Sequence, residues 1–165
     1  MGMRRLIDAL AIVIDETLKG LKLPKSTNDW DEPQEDGEIQ IFKHRMASAS
    51  EKEKAPYVLL QVLNGADEHS REDDKEFSVV TVRGIVVTFN RDSVEGALSL
   101  VEVIERIRFR LESNRTIGGR YTLQLPFEWL IYPEDTAPYH IGELSMTFAI
   151  ESIPWRPDYL NGLKW

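Results

Sequence analysis

The side chains best suited to chemistry are thinly spread along this sequence. His44, His69 and His140 stand far apart, and none lies four residues from another, the spacing that puts two imidazoles on one helical face around zinc. The chain has no cysteine, which excludes thiolate metal sites, thiol nucleophiles and disulfides. No G-x-S-x-G sets a serine at a strand-to-helix elbow. No G-x-x-x-x-G-K-[ST] cradles a phosphate, and Gly118-Gly119 lacks the third glycine of a dinucleotide-binding turn. The pairs Asp73-Asp74 and Glu134-Asp135 sit in polar runs, whereas acid and base work needs burial to move a pKa. Asp29, Asp31, Glu32, Glu35, Asp36 and Glu38 lack the spacing of a calcium loop, and their mutual repulsion predicts an extended, solvated stretch. The expectation is therefore no catalytic, cofactor-binding or metal residue.

Residues suited to binding other macromolecules are more numerous. Arg106, Arg108, Arg110, Arg115 and Arg120 gather around the end of a predicted helix, where cations favour the negative end of its dipole. The same cluster suits a contact patch for an acidic neighbour, such as the acidic loops of an identical subunit. Trp30 is the one large apolar side chain in its acidic stretch. Trp155, Tyr159 and Trp165 occupy an aperiodic tail and serve equally well as packing residues or as interface anchors. Trp129, between Phe127 and Tyr132, is expected in the core. The candidate partner-interface residues are thus Trp30, Arg106, Arg110, Arg115, Arg120, Trp155, Tyr159 and Trp165.

These side chains must be held by elements that the hydrophobic pattern outlines. Leu6, Leu10, Val13, Ile14 and Leu18 recur at helical steps from Arg4 to Leu21, with Gly20 as a stop and Pro24 beyond it. A short strand is predicted over Ile39–Lys43 and a buried one over Tyr57–Leu63. Asn64–Glu76 carries six acids and two bases, which predicts a long mobile loop. Phe77–Phe89 is apolar on both parities and so reads as a central strand, with Gly84 marking a bulge or a close backbone approach. Asp92 and Glu95 match a capping box for a helix running to about Leu111, with Leu100, Val103, Ile104, Ile107 and Leu111 as its buried stripe. Turns at Ser113-Asn114 and Gly118-Gly119 precede a strand from Tyr121 to Pro126, extended through Phe127–Tyr132. Ile141–Ile153 alternates with a period of two. His140 is expected in a turn beside that strand, and His69 in the acidic loop.

The 165 residues fit one domain, and their composition, 42% hydrophobic and 29% charged, is that of a globular chain rather than a disordered one. The expected organisation is a single domain over 1–165. Within it, 1–23 holds the N-terminal helix, 24–38 and 64–76 the acidic loops, and 154–165 the aromatic tail. A net charge of -8 is the wrong sign for gripping phosphates, so tight nucleic-acid binding is not expected. No apolar run is long enough to span a bilayer. Basic Met1–Arg5 before apolar Leu6–Ile14 echoes a secretion signal, but Asp8, Asp15 and Glu16 interrupt it, and folding in the cytoplasm is expected.

The run Val103-Ile104-Glu105-Arg106-Ile107, then Ile117-Gly118-Gly119-Arg120-Tyr121-Thr122-Leu123-Gln124-Leu125-Pro126, Trp129, Pro138-Tyr139 and Gly142-Glu143 resembles the tail terminators of tailed bacteriophages. The likeness spans roughly Pro56 to Ile153 and is compatible with the leading helix. It consists of structural punctuation, so no active site is carried over, and His140 stands where the family pattern has an aromatic. The resemblance implies an α/β (α+β) fold: a single mixed, mainly antiparallel sheet packed by an N-terminal helix and one long central helix. It also implies a structural virion protein of the neck, a ring, typically hexameric, that caps the tail tube and takes part in head-tail joining. Its partners would be its own copies, the tail tube protein and a neck or stopper protein, with DNA only passing through and no membrane involved. Two other readings stay open: another neck component, such as a head-completion or stopper protein, and a small cytoplasmic enzyme or binding module.

Overall fold

The computed structural model of the protein describes residues 2–27, 29–45, 55–72, 75–133 and 136–153. Helix α1 (Gly2–Leu18) buries Leu6, Ile7, Leu10, Ile14 and Leu18, the stripe expected from its spacing. It ends three residues short of the expected Leu21, because Gly20 takes a left-handed φ of 86° and the Leu21 N–H turns back to the Leu18 carbonyl at 3.1 Å.

The expected acidic loop over 24–38 is not wholly loop: β1 (Lys22–Pro24) and β2 (Asp36–Glu38) pair as a small antiparallel ribbon. The main sheet holds β3 (Gln40–Lys43), β4 (Tyr57–Ser70), β5 (Lys75–Phe89), β6 (Thr116–Ile117), β7 (Tyr121–Ile131) and β8 (Tyr139–Ile150), in the order β3-β4-β5-β8-β7-β6. Only β3 and β4 run parallel. The architecture is α+β, as expected, with α1 and α2 (Ser93–Ser113) packed on one face of a mixed, mostly antiparallel sheet. Among the described residues no helix is long and apolar enough to cross a membrane.

The largest departure concerns 64–76. Instead of a mobile loop, β4 continues to Ser70 and β5 begins at Lys75, so the two strands form a long hairpin arm, with Ser70 paired to Lys75 and Asp67 to Ser78. Acids are compatible with strands here because the described side chains from Leu63 to Phe77 stay largely exposed, although Ser78, opposite Asp67, is buried. The expectation equated charge with loop.

Strand β5 is central, between β4 and β8. The bulge falls at Val62/Asn64 on β4 rather than at Gly84. At Gly84 the close approach is to a side chain: a Cβ there would stand 3.3 Å from the Cβ of Leu144. Val80, Val82, Val86, Leu144, Met146 and Phe148 face the helices and are essentially inaccessible. A smaller cluster of Tyr57, Leu59, Val87 and Phe89 lies apart from this core, with Phe42 and Tyr139 packed against it.

Helix α2 opens where the sequence predicts. The Asp92 carboxylate accepts the N–H groups of Val94 and Glu95 at 3.0 and 3.2 Å. The reciprocal bond of the cap is made by Asn90 rather than Glu95, since Asp92 N–H donates to Asn90 Oδ1 at 2.9 Å. Asp92→Ala is expected to lower stability by about 1 kcal/mol, read as a shift in the urea midpoint at constant slope.

The first turn of α2 presses against β8. His140 lies inside that strand, paired with Thr88, and not in a turn as expected. A Cβ on Gly96 would fall 2.1 Å from His140 Nε2, so this imidazole occupies the space a side chain would need. At the other end, Gly118 and Gly119 adopt φ of 57° and 71° and close the hairpin between β6 and β7.

Candidate interaction surfaces

The sheet leaves two margins open among the described residues. Strand β6 pairs only with Tyr121 and Thr122, so from Gln124 to Ile131 no strand lies outside β7. Between Gln124 and Glu128 the register slips, and three residues of β7 face Met146 alone. This bulge accompanies an inward Phe127, 5% exposed, and an outward Leu125, 52% exposed. Trp129 and Leu130 further along are 48% and 56% exposed. Trp129 is therefore not the core residue its neighbours suggest. It sits at the margin, where no further layer covers it, and the guanidinium of Arg108 lies 4.6 Å from its ring centre.

On the opposite side, β3 pairs with β4 only from Tyr57 to Leu60, leaving the outer edge of β4 open from Gln61 to Glu68. Both margins carry backbone donors and acceptors able to add a strand. The alternating sheet sets β4 and β7 in opposite directions.

The arginine cluster is largely satisfied within the chain. Arg106 and Arg108 pair with Glu102 and Glu112 one turn away, and Arg120 meets Glu151 at 3.6 Å. Arg110 donates to the Asn114 carbonyl at 2.9 Å, which is a helix-end contact. Arg115 is exposed and lends its carbonyl to the Leu123 N–H. Phe109, 75% exposed, stands among these groups. Trp30 is exposed too, with Arg91 packed 5.3 Å from its ring while binding Thr27 Oγ1 and the Asp29 carbonyl. The structure thus brings Arg106, Arg110, Arg115 and Arg120 to the end of α2 and the hairpin after it, and places Trp30 with Arg91. Trp155, Tyr159 and Trp165 lie outside the described residues.

One polar network crosses the sheet. Arg83 contacts Glu143 at 2.5 Å as an ion pair, and Tyr132 Oη donates to the second oxygen of that carboxylate at 2.7 Å. The bond to Glu143 raises the Tyr132 pKa above 10.0, because ionising the phenol would put two anions side by side. A raised folded-state pKa contributes stability below the unfolded value and loses it as pH climbs through the folded one. Tyr132 is expected to titrate late by ultraviolet absorbance, and Glu143→Gln should bring it back toward 10.0. Both carboxylate oxygens of Glu143 are thus engaged within the sheet. No group of His, Asp and Glu among the described residues is arranged to hold a metal ion.

Sequence reasoning missed Leu125, Leu130 and the exposure of Trp129. Their signal was present in the long apolar stretch around Pro126, a residue that withholds an N–H and favours sheet edges. No protein-family model matches this chain, and no curated protein matches it either.

Proposed function

We propose that the chain is a tail terminator of a tailed bacteriophage, a ring-forming structural protein of the virion neck that caps the tail tube and joins it to the head complex. The observation that carries this reading is the pair of open margins. Copies set side by side in one orientation bring the β4 edge of one against the oppositely directed β7 edge of the next, which is the head-to-tail contact a closed ring requires. Leu125, Trp129 and Leu130 supply apolar surface at that contact. The resemblance of Ile117–Pro126 falls on the turn and bulged strand that build this margin. A net charge of -8 suits a ring through which DNA slides without sticking.

Light scattering and negative-stain microscopy are expected to show rings, typically of six copies. Purified tail tubes lacking a terminator should bind the protein, and portal complexes should not. Binding to portal complexes instead would favour a stopper. A monomer that binds neither, with a turnover activity lost on changing one side chain, would overturn the reading.

A further inference from the structure

The two open margins carry matching features on one face of the sheet. Trp129 pairs with Leu144, a core residue beneath the helices, so its indole, 48% exposed, lies on the helix-bearing face at the β7 margin. At the β4 margin the same face carries a groove of about 580 Å³, where α1 meets the end of β3 beside Val62 of β4. Met3, Ile7 and Val62 are its apolar lining. Two of the charges on its wall answer each other, with Lys43 Nζ 2.8 Å from an Asp8 carboxylate oxygen. Such a groove suits an uncharged, apolar occupant, and Arg4, which also lines it, is the kind of cation that an indole face accepts.

We propose that Trp129 of one copy seats in the α1–β4 groove of the next, as the anchor of the contact between neighbours in the ring. The inference deepens the ring reading and rests on it, since it uses the same two margins in the same order. Because β4 and β7 run in opposite directions, they meet as an antiparallel pair. With Trp129 level with Gly65, Ile131 to Phe127 of one copy lie along Leu63 to Asp67 of the other. This pairing starts beyond β3, whose last pair is Lys43 with Leu60 and whose next residue, His44, donates its N–H to the Leu60 carbonyl at 2.7 Å. The faces agree in this register. Gly65 pairs with the core residue Val80 and so shares the helix-bearing face with Trp129, while Leu130 and Asn64 fall together on the other face. Gly65 presents no side chain to the indole, and Val62, the next β4 residue on that face, stands on the diagonal that aromatic side chains span. Ala66 meets Glu128 and Asp67 meets Phe127, so no carboxylate directly opposes another.

The chain has no cysteine, so introduced ones report cleanly. Residues directly opposite in an antiparallel pair have Cα atoms about 4.5–5.5 Å apart, within disulfide reach. Ala66→Cys combined with Glu128→Cys, both at exposed positions, is expected to oxidise into a ladder of covalent oligomers on a denaturing gel, each copy bonded to the next. Either change alone should give nothing larger than a dimer. By sedimentation, Trp129→Ala should weaken association about thirtyfold or more, and Met3→Glu about tenfold. Met3→Glu sets an acid in the first turn of α1, where the helix dipole favours it, so the fold is kept. Both changes remove one contact, and the double variant should therefore be no weaker than Trp129→Ala alone. No ladder, or losses that multiply, would overturn the proposal. Rings on tail tubes without a ladder would leave the terminator reading standing on another contact and remove this one. A ladder from protein that does not bind tail tubes would do the reverse.

Discussion

Phe148→Ala is expected to cost about 3–5 kcal/mol, the largest loss any single truncation in this chain should produce. Phe148 is fully buried at the centre of the sheet, opposite Val80 on β5 and Leu123 on β7, on the face covered by both helices. Removing the ring leaves a cavity between two rigid layers. The neighbouring strands cannot close it, because their ladders fix the spacing on both sides. A domain of this size holds about 5–15 kcal/mol in all, so the variant should be folded only marginally. Urea unfolding followed by fluorescence would read the change as a lower midpoint at constant slope. A loss below about 1 kcal/mol would show that the central layer is looser than its burial implies.

The second large effect concerns assembly. Leu130→Glu should leave the fold intact, since the side chain is more than half exposed and a surface exchange of this kind stays within about 0.5 kcal/mol. In the proposed ring the same change would place a carboxylate at the contact between copies, where Glu128 and Glu143 are already close by. A loss of about 2 kcal/mol or more is expected per contact, roughly thirtyfold in affinity, and repeated around a ring it abolishes closure. Light scattering would report monomers at concentrations where the wild type is expected to form rings. Rings of undiminished stability would remove β7 from the interface.

The helices and the central strand were legible because their signals are local. Leu100, Val103, Ile104, Ile107 and Leu111 recur at helical steps, and Asp92 precedes them as a cap. The run from Phe77 to Phe89 is apolar on both parities and is central as expected, but only its helix-facing parity is buried along most of its length, the other staying half-exposed as far as Ile85. What escaped were features decided by neighbours distant in sequence. Asp67, Glu68 and Glu76 resemble loop residues until each strand of the arm is seen to supply the other's hydrogen bonds. Trp129 resembles core until the sheet ends beside it, with β6 too short to shield it. The arginines at the end of α2 pointed correctly to helix-end electrostatics at Arg110, yet pairing with Glu102 and Glu112 depends on rotamers that the spacing permits without dictating. The open margins follow from where β3 and β6 stop, and strand ends are weakly encoded.

The imidazole lodged beneath the first turn of α2 ties two positions into one heritable unit. A residue larger than glycine at 96 overlaps the ring of His140 as it stands, so it requires that imidazole to turn aside or be replaced by a smaller side chain. Lineages descending from this sequence should gain a methyl on the helix most readily where the strand has shed its ring.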